Sequence, residues 1–136
     1  VKRGESIGID VKIVRFNSLN FIPASHEDPK DPGALKKILL TRDDIPEGRI
    51  QMINWAKIPK GKTFEPHYHE SMIEVFIIMS GKVKVKIDDE EASLKKGDMV
   101  IALEKQVHTM TNISNEDVDY IAMGITTAEG GKTVNV

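Results

Sequence analysis

Residues 82–87, Lys-Val-Lys-Val-Lys-Ile, alternate polar and apolar without a break, and the alternation stops at Asp88-Asp89-Glu90-Glu91. A period of two belongs to a strand with one face in a core and the other in water, so Val83, Val85 and Ile87 are predicted to face inward. Further short apolar stretches follow the same habit at 50–58, 74–79, 92–94, 99–103, 108–113 and 120–126. Between them stand turn-forming sequences such as Pro59-Lys60-Gly61, Ser80-Gly81, Lys96-Gly97-Asp98 and Ser114-Asn115-Glu116-Asp117. Short strands with a turn signal about every 8–12 residues predict an all-β antiparallel sandwich or barrel. No long stretch carries the period of an amphipathic helix.

The first 33 residues differ. One apolar stretch at 11–16 leads into a loop with Pro23, Pro29 and Pro32, in which Ser25-His26-Glu27-Asp28 reads as solvated surface. Residues 34–40 fit a strand or a short helical turn equally well. The expected organisation is an N-terminal arm over 1–33 packing on a barrel over 34–128, followed by a loose tail over 129–136.

Nineteen basic and twenty-one acidic side chains in 136 residues leave a net charge of -2, which argues against a nucleic-acid or membrane-surface binder. The longest apolar runs are five residues, far short of the roughly 20 that span a bilayer. A cytoplasmic location is the expectation. The absence of cysteine excludes thiolate nucleophiles, disulfides and Cys-type zinc sites. Together with the two glutamines, it points weakly to a thermophilic source.

Of the four histidines, three fall into a spaced pattern with one acid. His67 and His69, two apart on an extended strand, project from one face. Glu74 has the wrong parity for that straight strand and joins the pair only if the chain turns across 70–73. His108 stands on a later strand and is placed to supply a fourth group. Three imidazoles and a carboxylate make a nitrogen and oxygen shell suited to Mn, Fe, Co, Ni, Cu or Zn rather than Mg or Ca. Four protein ligands around a six-coordinate ion leave two positions open for water, oxygen or a chelating ligand.

Gly61, His67-x-His69, Glu74 and Gly81 are spaced as in the first conserved motif of the cupins, and Gly97-Asp98, His108 and Asn112 as in the second. From the chain's own composition, the five positions of the first motif would coincide by chance in about one sequence in 20,000. The chain thus resembles a small single-domain metal-binding cupin, with Leu103 and Lys105 standing where the family usually has Pro and then Gly. That resemblance implies an antiparallel double-stranded β-helix, a jelly-roll barrel. It also implies one divalent metal per chain on His67, His69, Glu74 and His108, with Mn ahead of Fe, Ni, Co and Zn, and pairing as a homodimer.

Met72, Phe76, Ile78, Met110 and Asn112 share strand parity with these ligands and are expected to line a small apolar pocket beside them. The resemblance extends to oxalate decarboxylases, whose metal acts as a Lewis acid on a small dicarboxylate. Here Phe64 stands where those enzymes carry an arginine three residues before the first ligand histidine. Arg49, Gln51 and Glu129 are the remaining candidates for catalytic groups. The function expected is a metalloenzyme acting on a small organic acid such as oxalate. Alternatives are a non-catalytic metal-dependent binding or sensing module, a dioxygenase, and a sugar-phosphate isomerase.

Overall fold

The computed structural model describes residues 4–6, 12–127 and 133–136. In chain order the strands are β1 (Gly4–Ser6), β2 (Lys12–Val14), β3 (Ile22–Pro23), β4 (Leu35–Thr41), β5 (Ile50–Ile58), β6 (His67–His69) and β7 (Met72–Ile78). They continue as β8 (Lys82–Ile87), β9 (Glu90–Lys95), β10 (Met99–Ala102), β11 (His108–Asn112), β12 (Val118–Thr126) and β13 (Thr133–Asn135). Two 3₁₀ turns, Phe16–Ser18 and Arg42–Asp44, are the only helical elements among the described residues.

From β5 onward the chain crosses repeatedly between two antiparallel sheets. The order is β10-β7-β12-β5-β4-β3 in one and β13-β6-β11-β8-β9 in the other, with β1-β2 as a separate hairpin. This is the double-stranded β-helix. Side chains from the two inner faces form a shared core that includes Ile58, Phe64, Ile78, Val83, Met110 and Val118. The alternation at β8 lands as its chemistry requires: Val83 and Val85 are buried, Lys82, Lys84 and Lys86 are exposed, and Ile87 is half-buried at the strand end. Each fully buried Val or Ile contributes about 1.5–3 kcal/mol relative to an exposed one, so the inward set fixes the register.

The stretch at 34–40 resolves as strand from Leu35 onward, because β4 pairs with β5 along most of its length, with a bulge between Ile38 and Leu40. Within 1–33, Ile22–Pro23 extends the six-stranded sheet by pairing with β4, and Ala24 enters the core. Within 129–136, Thr133–Asn135 pairs with β6, the strand carrying His67 and His69.

The inner face of the six-stranded sheet is organised in rows across β5, β12 and β7. One row is Met52, Gly124 and Glu74, the next Asn54, Ala122 and Phe76, and the third Ala56, Tyr120 and Ile78. Ala122 and Ala56 put little volume on the central strands and border a cavity, while the space at Gly124 is taken by the side chains of Met72 and Met52. The outer face of the same sheet is apolar: Ile73, Val75, Ile77, Ile121, Met123, Ile125 and Trp55 are half-covered, and Met99 and Ile101 are exposed. Phe16 from the N-terminal segment packs edge-on against Trp55 with ring centroids 5.3 Å apart.

Candidate metal centre

His67 and His69 sit on β6 and point inward from the same face, as two-residue spacing dictates. The chain breaks at Glu70-Ser71 before β7 begins at Met72, and this resets the parity so that Glu74 also points inward. His108 opens β11 directly opposite His67 in the antiparallel pair. One ligand atom from each of the four residues lies within 4.8 Å of every other, and all four side chains are buried. The sequence expectation named these four residues, and the fold brings them together.

The donor chemistry of this cluster fits a cation. His67 and His108 each donate Nδ1–H to a backbone carbonyl, Glu65 at 2.8 Å and Gln106 at 2.9 Å. In the neutral ring, Nε2 then presents a lone pair toward the cluster. The three Nε2 atoms lie 2.9 Å (His69), 3.2 Å (His108) and 3.8 Å (His67) from Glu74 Oε1. Donors about 2.1 Å from a common ion stand about 3 Å apart at right angles and about 4.2 Å apart across it, so these separations suit one shell. Buried His67 Nε2 has no hydrogen-bond partner, which leaves an orphaned polar atom aimed at the cluster. Burial would raise the Glu74 carboxyl, but where the rings carry Nε2–H their hydrogen bonds, His108 first, outweigh it and hold the group well below the usual carboxylate range.

Phe64, expected to replace an arginine, is almost fully buried below the histidines. Its ring centroid is 5.5 Å from that of His67, 6.3 Å from His108 and 6.0 Å from Phe76. The floor of the cluster is therefore apolar, and no guanidinium reaches it from that position.

One residue that the sequence reading set aside belongs to the site. His26, read as solvated, lies flat on His67, with ring centroids 4.0 Å apart and planes at 21°. Its Nδ1 donates to Glu27 Oε2 at 2.5 Å. Glu27 in turn accepts from the backbone N–H of Gly33 and of Glu65, both at 2.7 Å. Burial is the largest cause that holds His26 at about 3, so its ring is neutral at pH 7.

A cavity of about 240 Å³ opens beside the cluster, and His69, Glu74, Met72 and Phe76 border it together with His26, Lys36, Gln51 and Asn54. Met72 and Phe76 both border this space. Ile78, Met110 and Asn112 do not line this space: alternation gave their face correctly but not their depth along the barrel. Ile78 and Met110 are fully buried in the core beneath it. Asn112 is a strut that donates to Ile58 O at 3.0 Å and Glu116 O at 2.7 Å and accepts from Ser114 N–H at 2.8 Å. Gln51 reaches the cavity, Arg49 stays exposed outside its lining, and Glu129 lies outside the described residues.

The departures in the second motif leave the turn before His108 intact. Lys105 takes φ of 64°, the left-handed conformation for which the family's usual glycine is the unstrained choice. Its N–H donates to His69 O at 2.7 Å, and Leu103 N–H is held by the Gln106 side chain at 2.8 Å. The turn therefore links the His108 strand directly to the His69 strand.

Comparison with known proteins follows the same lines. A sequence profile of the Cupin domain family matches residues 54–124. An uncharacterized protein of Methanocaldococcus jannaschii is 29% identical over 86 residues, covering 63% of this chain and 67% of that protein. An oxalate-binding protein of Thermotoga maritima is 25% identical over 91 residues, covering 67% of this chain and 75% of its own length. A Thermotoga maritima crystal structure described as a predicted oxalate decarboxylase superposes with a TM-score of 0.74 at 21% identity, covering 84% of this chain and 98% of the other.

Proposed function

The chain belongs to the cupin family, and from that premise we propose that it holds one divalent metal ion on His67, His69, Glu74 and His108 and acts on a small organic acid of the oxalate type. The observation that carries this reading is the convergence of four buried ligand atoms at the edge of a cavity smaller than the roughly 300–1,000 Å³ of drug-sized sites. Manganese is the first ion to test. The similarity to an oxalate-binding protein supports the choice of ligand class.

When bound, the ion supplies Lewis-acid polarisation of a carboxylate oxygen. The chain's residues do the rest. Backbone carbonyls of Glu65 and Gln106 fix the tautomer and aim of His67 and His108. Phe64 and Phe76 exclude water beneath the cluster, which strengthens electrostatic interactions above it. His26, with its proton held at Nδ1 by Glu27, presents Nε2 as an acceptor on the cavity wall.

The reading is tested by incubating manganese-loaded protein with oxalate and assaying formate and carbon dioxide. Formation of both, lost in His67→Ala, supports a decarboxylase. A second reading, a binding module without turnover, draws on the apolar Phe64 floor where the decarboxylases have an arginine. Thermal stabilisation by oxalate with no product selects it. Pairing with a second copy through the apolar outer face of the six-stranded sheet completes the proposal.

A further inference from the structure

Three polar side chains that border the cavity beside the metal cluster, Lys36, Asn54 and Gln51, keep N–H donors that the protein leaves largely unused. Asn54, 8% exposed, points inward from β5, and its Oδ1 has no partner. Its amide nitrogen donates only to the sulfur of Met52 at 3.6 Å, a weak acceptor. Lys36 shares the inner face, opposite Ala56 in the β4-β5 pair, and its ammonium donates to Ser25 Oγ at 2.7 Å. No carboxylate pairs with it among the described residues. The Gln51 side chain likewise has no protein partner among them. A half-buried ammonium whose only acting counter-charge is Glu74 of the metal cluster, and an amide NH₂ that meets only a sulfur, leave N–H donors in one cavity, and the oxygens of an anionic ligand accept from both.

We propose that Lys36, with Asn54 and Gln51, forms a subsite for the second carboxylate of a small diacid whose first carboxylate lies at the metal cluster. The ammonium supplies the charge, and the two amides pair with the oxygens around it. A monoacid satisfies the metal end alone. A diacid satisfies both ends, so the site discriminates by the number of carboxylates. Arginine at the Phe64 position is not required, because the cation arrives from β4. The inference rests on the proposed metal site for one end of the ligand only.

The test is calorimetric titration of manganese-loaded protein with malonate and succinate as diacids and with acetate and propionate as monoacids. Metal content is measured on every sample. The wild type is expected to bind one of the diacids at least tenfold tighter than either monoacid. Lys36→Met is expected to retain the metal and the monoacid affinity while the preference falls to within about threefold. Asn54→Ala moves the same ratio in the same direction, and Lys36→Gln serves if the methionine variant fails to fold. An unchanged ratio in the variants, or a wild type without the preference, overturns the subsite. Metal uptake without diacid binding sinks the subsite and leaves the metal reading standing. Lys36-dependent diacid binding without metal does the reverse.

Discussion

His26 lies on the face of His67 at 4.0 Å although 41 positions separate the two in sequence, and this contact ties the N-terminal loop to the candidate metal centre. The tie is fastened by Glu27, which bonds His26 on one side and the N–H groups of Gly33 and Glu65 on the other. Gly33 is seated so closely that a Cβ would stand 2.0 Å from the backbone oxygen of Thr63. The loop is docked by its backbone as well as by its side chains.

Removing the Glu27 carboxylate orphans two N–H donors, each worth about 1–3 kcal/mol when left unpaired in a buried setting. Glu27→Ala is therefore expected to lose about 2–4 kcal/mol in urea unfolding and to weaken metal binding, with Glu27→Gln intermediate. A variant as stable as the wild type would remove the loop from the account.

Acidification tests the same contact. His26 is held at about 3 in the folded chain against an ordinary 6.5, so between those values the unfolded chain binds a proton that the folded chain refuses. Its contribution is fully present above pH 6.5 and is lost as pH falls toward 3. Glu27, raised by burial, works in the opposite sense, gaining stability as it protonates. His26→Phe keeps an aromatic ring on His67 and removes the titration. Its melting temperature is predicted to drop less than that of the wild type between pH 7.5 and 4.5, and parallel curves would contradict the assignment.

Asn112 separates structure from chemistry. Its amide fills the bend after β11 with bonds to Ile58, Ser114 and Glu116. Asn112→Ala is expected to cost about 2–4 kcal/mol through the unpaired groups it leaves, while the metal content of the folded fraction stays at the wild-type level. Metal loss without destabilisation would place Asn112 in the site after all.

These contrasts show what the sequence carried and why it stopped where it did. Strict alternation identified β8, and the end of β5 was legible from Pro59-Lys60-Gly61, because period and turn chemistry are local properties. The four-residue cluster that could hold a metal was legible because residue type and spacing constrain it together. His26 was not, since the His67 ring it stacks on lies far along the chain and its own neighbourhood of prolines and acids has no period. Glu27 beside it, six residues before Gly33, was the only local signal. Ile78 and Met110 were placed on the right face at the wrong depth, because alternation reports side and not position along a barrel. Lys36 was obscured by Lys37: the adjacent lysines point to opposite faces once residues 34–40 are known to be strand, one toward the cavity and one over the ring of Phe16 at 3.6 Å.

The apolar outer face yields a separate test. If a second copy covers it, light scattering on the wild type gives about twice the 15.2 kDa of one chain. Ile121→Glu, which puts a charge at the centre of that face, is expected to give the monomer with the cavity intact. A monomeric wild type would end the dimer proposal.

The central claim is that four buried side chains exist to hold a metal. Elemental analysis by mass spectrometry, on protein purified without an affinity tag or chelator, addresses it directly. The account predicts about one manganese or other transition-metal ion per chain in the wild type. It also predicts more than a hundredfold weaker binding in Glu74→Gln and in His108→Ala, beyond the roughly 10–100-fold typical of losing an outer partner. Protein free of metal, and still free of it after soaking in manganese, iron and zinc, would contradict the claim.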